Sequence, residues 1–187
     1  MWASSSNAGK NPDMPKVFLS IGSNIDRERH IPSALAELER RFGPLAVSSI
    51  YETEAVGFEG PPFHNLVVGF DTELSIREIS EILTEVEEMH GRTRLSKKFS
   101  SRTLDLDLLL HGDAVVHEGK LNLPRDEITR YAFVLEPLAE IAPNRGHPVT
   151  GQRYADLWAA FDKTGVTQKR ISPPPPPQAS RREADAK

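Results

Sequence analysis

Apolar residues recur along the chain with two different periods, and their alternation lays out the fold. Val17 to Ile21 is a short apolar run closed by Gly22-Ser23-Asn24, which reads as a strand and a plain turn. Ile31, Leu35, Leu38 and Phe42 then recur at i, i+4, i+7 and i+11. That spacing is one face of a helix, and Gly43-Pro44 stops it. Leu45 to Thr53 reads as a second strand, with Val47, Ser49 and Tyr51 on one face and Ser48, Ile50 and Glu52 on the other. The glycines and prolines between Ala55 and Pro62 make a loop, and Phe63 to Thr72 is a third strand with Leu66, Val68 and Phe70 on one face. A second helix is punctuated at both ends. Ser75 and Glu78 form a capping box, Ile79, Ile82, Leu83, Val86 and Met89 make the apolar stripe, and Gly91 ends it.

The most regular stretch follows. Leu104, Leu106, Leu108 and Leu110 alternate with Asp105 and Asp107, the period of a strand with one buried face. The leucines enter a core, and the two carboxylates project from the opposite face, roughly 7 Å apart along the strand. Just upstream, Arg92, Arg94, Lys97, Lys98 and Arg102 make a cationic segment. Beyond Gly112-Asp113, residues 114–117 and 121–124 predict a small hairpin. The apolar run Phe133 to Ile141, interrupted by Pro137, predicts a short or broken helix, and Tyr154, Leu157, Trp158 and Phe161 mark a last one. The order β-α-β-β-α-β with a C-terminal extension predicts an α+β, ferredoxin-like antiparallel sheet with helices on one face. The other face is then left to Asp105 and Asp107.

Composition narrows the functions this fold could carry. A chain of 187 residues suits one cored domain. We expect it at 16–163, after a disordered Ser/Asn/Pro-rich leader at 1–15 and before a disordered tail at 164–187 that contains five consecutive prolines. A net charge of −4 argues against a general nucleic-acid binder. The absence of cysteine excludes disulfides, thiolate metal sites and cysteine nucleophiles. No apolar run reaches membrane-spanning length and the leader has no hydrophobic centre, so the cytoplasm is the expected location.

Two carboxylates this close repel each other unless a cation lies between them. Hard oxygen ligands suit Mg²⁺, which binds one or two carboxylates and completes its shell with water and phosphate oxygens. Arginine forks upstream match phosphate geometry, so the residues together outline a phosphoryl-transfer site. The competing reading is a solvated strand face beside a basic loop. Glu87 lies off the stripe of its helix and by itself reads as a solvated helix glutamate.

Arg102-Thr-Leu-Asp-Leu-Asp-Leu-Leu-Leu110 resembles the signature of the 6-hydroxymethyl-7,8-dihydropterin pyrophosphokinase family. Residues 18–24, 51–53, 63–65, 87–94 and 133–143 resemble further blocks of that family in the right order, so the likeness runs over roughly residues 16–161. It implies pyrophosphoryl transfer from ATP to the hydroxymethyl group of a reduced pterin, with AMP released. Asp105 and Asp107 would bind two Mg²⁺ ions, and Arg92 and Arg102 would neutralise phosphate charge. Thr53, Val56, Phe63, Asn65, Phe99 and Phe133 would hold the pterin. Glu87, Arg94, Leu108, Asn122 and Arg125, with Arg92 and Arg102, would contact ATP. A monomer acting on small molecules is implied, with neither nucleic acid nor membrane as partner.

The chain departs from the family pattern at three places. Arg125-Asp126 follows Pro124 where a histidine is usual, Tyr131 stands where an arginine is usual with Arg130 one place earlier, and Ser100-Ser101 replaces Gly/Ala-Pro. Arg125 could donate to phosphate in place of histidine, Arg130 could cover for the displaced arginine, and Asp126 would have to turn outward. These changes motivate one alternative, a diverged paralogue that binds a pterin-like ligand without this activity or with another acceptor. A second alternative, from another class, is a ferredoxin-like nucleic-acid-binding module, which would need exposed aromatics on a basic sheet face.

Overall fold

The computed structural model describes residues 14–55, 57–91 and 101–171. Its centre is an antiparallel sheet of six strands: β1 (Lys16–Ser23), β2 (Ala46–Val47), β3 (Tyr51–Thr53), β4 (Phe63–Asp71), β5 (Asp105–His111) and, near the end of the described chain, β8 (Lys169–Arg170). The strand order is β5-β1-β4-β3-β8, with β2 also paired to β4. A separate hairpin is made by β6 (Val116–Glu118) and β7 (Leu121–Leu123).

Helix α1 (Arg27–Phe42) follows the period seen in the sequence, burying Ile31, Leu35, Leu38 and Phe42. Helix α2 (Ile76–Met89) begins at the expected capping box. The Ser75 and Glu78 side chains each satisfy the other's backbone N–H, and Gly91, at φ 82°, carries the left-handed turn that ends the helix. Both helices lie over the face formed by Val17, Leu19, Ile21, Leu66, Val68, Phe70, Leu106 and Leu108.

Helices do not occupy one face alone. Helix α4 (Ala132–Ile141), preceded by the short α3 (Glu127–Arg130) and braced by α5 (Tyr154–Ala160), covers the other face at Phe18, Val67, Leu109 and Leu110. The predicted one-sided sheet is thereby corrected, for a physical reason. Beyond Leu109 both faces of the sheet are apolar, and an apolar face has to be buried. Only the end of this second face that carries Asp105 and Asp107 stays open.

Two bulges account for side chains on the face opposite to the one expected. Leu19 pairs with Leu108, yet the adjacent Phe18 pairs with Leu110, so Leu109 is an extra residue. It moves Leu110 off the core face of Leu104, Leu106 and Leu108 and onto the face of α4. In the second predicted strand, Val47 pairs with Val68 and Tyr51 with Asn65, leaving residues 48–50 opposite 66–67. One long strand becomes β2 and β3, and Tyr51 emerges on the face opposite Val47. The interruption is held by polar groups. The Ser48 hydroxyl accepts from Val67 N–H at 2.9 Å. The Glu140 carboxylate on α4 accepts from Ser49 N–H, Ser49 Oγ and Tyr51 Oη at 3.0, 2.8 and 2.8 Å.

The stretch after residue 164, expected as part of an unpacked tail, contains strand β8. Lys169 and Arg170 pair with β3, the Ile171 N–H donates to the Ile50 carbonyl at 2.9 Å, and Arg170 Nε donates to Ser49 Oγ at 2.7 Å. An edge strand with free backbone groups is a template for such pairing. Most of the leader, 1–13, and the polyproline segment lie outside the described residues.

Candidate active site

Strand β5 forms one edge of the sheet, and two cavities flank it. Ser20, Gly22, Asn65, Asp105, Tyr131 and Phe133 are among the residues lining the first, of about 160 Å³, on the open end of the second face. The other, of about 370 Å³, runs along the edge of β5 between α2 and the β6–β7 hairpin, past Glu87, Leu106, Leu108, Lys120 and Asn122. Among the described residues, the two linings share Asp107 and Arg125 alone.

The strand period aims the carboxylates as predicted, and each is held by an arginine. Arg102 Nη1 donates to Asp105 Oδ1 at 2.7 Å, and Arg125 Nη2 donates to Asp107 Oδ1 at 2.8 Å. All four side chains are partly exposed, so the pairs can open at modest cost. Asp105 and Asp107 are the groups here that could hold a divalent cation. The described residues contain no cluster of three or more His, Cys, Asp or Glu side chains that would cage a metal unaided. A hard cation that keeps water and takes ligand oxygens fits two carboxylates opening on cavities.

Glu87 is not solvated. It is 8% exposed, and its Oε1 accepts from Leu106 N–H at 2.7 Å. The end of α2 lies against the open edge of β5, where a ladder donor needs an acceptor. The reading of Glu87 as a solvated residue is corrected on that ground, and its side chain lines the second cavity. Leu108 and Asn122 line that cavity with it, and Asn122 Oδ1 is in hydrogen-bond contact with His117 Nδ1.

Asn65 and Phe133 line the first cavity. The Asn65 amide donates to Thr53 Oγ1 at 2.8 Å, which joins Thr53 to the site although Thr53 is outside the cavity lining. Phe63 is also outside that lining. It lies beside Gly22, where an added Cβ would come within 3.9 Å of its ring and 3.1 Å of Asn65 Oδ1. Gly22 therefore keeps the cavity floor open. On the reverse side of β4, burial first and the neighbouring Arg27 second hold the His64 imidazole below its ordinary pKa.

The departures at 125–131 separate cleanly. Arg125 lies at the junction of the two cavities, its backbone N–H donating to the Leu109 carbonyl at 3.1 Å. Asp126 is exposed and lines neither cavity. Arg130 is exposed as well and lines neither. Tyr131 lines the first cavity and stacks on Phe133, with ring centroids 5.1 Å apart and planes at 16°. Glu127 also lines the first cavity, a member of the site with no signal in the residue pattern.

Asn24 was also overlooked, because Gly-Ser-Asn reads as an ordinary turn. It is buried, its Oδ1 accepts from Arg102 N–H at 2.7 Å, and its Nδ2 donates to the Pro61 carbonyl at 3.1 Å. Its own N–H donates to the Arg102 carbonyl at 3.0 Å. These bonds set Arg102 at the head of β5, within reach of Asp105. Arg92, Arg94, Phe99 and Val56 lie outside the described residues.

Comparison with known proteins bears directly on this geometry. The family model for 7,8-dihydro-6-hydroxymethylpterin-pyrophosphokinase (HPPK) matches residues 18–143. The 2-amino-4-hydroxy-6-hydroxymethyldihydropteridine pyrophosphokinase of Porphyromonas gingivalis (strain ATCC 33277) is 40% identical over 136 residues, covering 70% of this chain and 92% of that protein. The protein of the same name from Pseudomonas aeruginosa is 34% identical over 155 residues, covering 81% and 94%. Among solved structures, wild-type HPPK-DHPS of Plasmodium falciparum superposes with a TM-score of 0.69 at 14% identity, which speaks for the fold alone. The match covers 88% of this chain and 48% of that one, so this chain spans about half of the Plasmodium protein. With the model matching from β1 through α4, the chain belongs to the 7,8-dihydro-6-hydroxymethylpterin-pyrophosphokinase family.

Proposed function

We propose that the two cavities receive the two substrates of one transfer, a nucleotide along the edge of β5 and a reduced pterin over Asn65. The chain transfers pyrophosphate from ATP to the hydroxymethyl group of 6-hydroxymethyl-7,8-dihydropterin and releases AMP, a step of folate biosynthesis. The observation that carries this reading is the meeting of the cavities at Asp107 and Arg125, where a triphosphate reaching from one to the other has to pass. The hydroxymethyl oxygen bonds to the β-phosphorus as the bond from that phosphorus to the α,β-bridging oxygen breaks. AMP leaves with the bridging oxygen, and the hydroxyl proton is lost.

The residues take their roles from position. Asn65 and Thr53 present a hydrogen-bonded pair to the polar edge of the pterin, and Phe63 and Phe133 supply aromatic walls, each stacking contact worth about 0.5–1.5 kcal/mol. Glu87, Leu108 and Asn122 line the nucleotide side. Asp105 and Asp107 are the proposed ligands of two Mg²⁺ ions. Bound there, those ions would withdraw charge from the transferring group and orient the attacking oxygen. Arg102 and Arg125, with Arg92 and Arg94, neutralise the phosphates, while Val56 and Phe99 belong to the pterin side. The proposed catalytic domain is 16–163, with the strand order β5-β1-β4-β3 supporting a ferredoxin-like arrangement. Action as a monomer and a cytoplasmic location are part of this proposal.

AMP release from ATP and Mg²⁺, measured with and without the pterin, tests the reading. Pterin-dependent AMP is the expected result. Pterin binding without AMP would contradict it and point to a different acceptor.

A further inference from the structure

Among the described residues Arg125 is the cation that lines both cavities, and its guanidinium is incompletely bonded. Its backbone is fixed to β5 through the Leu109 carbonyl. Its guanidinium grips Asp107 through Nη2 at 2.8 Å. Nε, in contrast, is buried without a hydrogen-bond partner among the described residues, and the nearest carboxylate, Glu127 Oε2, is 3.5 Å away. A guanidinium has five donors in a planar fork that matches phosphate oxygens as well as carboxylate oxygens. Here the fork holds one oxygen of a carboxylate that could bind a metal and has donor capacity left for an anion.

We propose that Arg125 is a resident counter-cation of Asp107, displaced by the incoming divalent cation and handed over to the phosphates of the nucleotide. The inference rests on the assignment of Asp107 as a metal ligand. A dication approaching Asp107 meets a positive charge at ion-pair distance and competes with the Arg125 bond. Without an anion nearby, the released guanidinium has Glu127 and water to turn to. With a triphosphate in the second cavity, it finds new acceptors by side-chain rotation alone, because its backbone stays pinned. Metal and nucleotide therefore bind with positive coupling, and the free protein holds a divalent cation weakly. The same charge keeps Asp105 and Asp107 from repelling each other before substrate arrives.

The test is titration of the nucleotide-free protein with Mn²⁺, following free Mn²⁺ by electron paramagnetic resonance, beside the affinity of a non-hydrolysable ATP analogue with Mg²⁺. Arg125→Gln removes the competing charge and should tighten Mn²⁺ binding about fivefold, the scale of a partly exposed ion pair. The same variant should weaken the analogue about tenfold through loss of a charge-assisted contact. Arg125→Lys keeps the charge without the fork, so it should keep weak Mn²⁺ binding while losing analogue affinity. Unchanged or weaker Mn²⁺ binding in Arg125→Gln overturns the proposal, and an unchanged analogue affinity overturns the hand-over. An Asp107→Asn protein that binds Mn²⁺ as the wild type does would overturn the metal assignment as well. Weakened binding in Asp107→Asn with no change in Arg125→Gln overturns this inference alone.

Discussion

Replacing Glu87 by alanine gives a test of the site's architecture that needs no substrate. The Glu87 carboxylate is 8% exposed and accepts from Leu106 N–H at 2.7 Å, next to a cavity of about 370 Å³. Its removal leaves a strand-edge donor without its acceptor. Leaving such a group unsatisfied costs about 1–3 kcal/mol. The neighbouring cavity is polar and wide enough to admit a replacing water, so the lower part of that range, about 1–2 kcal/mol, applies. For a domain of this size that is a fall in Tm of about 3–6 °C. Glu87→Gln keeps an acceptor oxygen at the same place and should cost less than about 1 kcal/mol. Thermal melts of both variants give the magnitudes, and hydrogen exchange at the Leu106 amide reports the bond itself. An alanine variant with the wild-type Tm and unchanged Leu106 protection would refute the reasoning.

Three further outcomes follow from other parts of the molecule. Asp105→Ala and Asp107→Ala should each lower kcat about a thousandfold, since each removes a proposed ligand of the charge-withdrawing metal; steady-state AMP release measures it. Gly22→Ala puts a methyl group 3.1 Å from Asn65 Oδ1 and should raise the KM for the pterin while leaving nucleotide binding unaltered, read by separate titrations. Hydrogen bonds from Arg40 first and Arg41 second lower the Glu37 carboxyl from 4.5 to about 2. A depressed pKa stabilises the folded state above the unfolded value and ceases to do so as pH falls through the folded one. Wild type should therefore lose this contribution between about pH 5 and pH 2, and Glu37→Gln should flatten that part of the stability curve in denaturant titrations.

Legibility in the sequence followed the range of the interactions involved. Helices α1 and α2 were visible because periodicity and the Ser75–Glu78 capping box are local, and the Asp105/Asp107 pair was visible because strand alternation is local too. The bulges at Leu109 and at residues 48–50 were not. One inserted residue leaves a run of apolar side chains looking the same while moving Leu110 and Tyr51 to the other face. Glu87 and Asn24 escaped for a related reason. Their partners, Leu106 N–H, Pro61 O and Arg102 N–H, are backbone groups brought close only by tertiary packing. Lys169 and Arg170 carry no apolar period, so β8 left no trace that separates it from a solvated tail. The residue types at 125–131 announced a change, and only their positions showed which of them matter. Arg125, Glu127 and Tyr131 face the cavities, while Asp126 and Arg130 face solvent.

The central claim is that one chain moves two phosphoryl groups together from nucleotide to pterin, and product analysis tests it most directly. ATP labelled at the β-phosphorus is incubated with Mg²⁺ and 6-hydroxymethyl-7,8-dihydropterin, and the label is traced. Label recovered on the pterin, with one unlabelled AMP formed for each pterin consumed, is the predicted result. Label retained in ADP, with a single phosphoryl group on the pterin or released as phosphate, would contradict it.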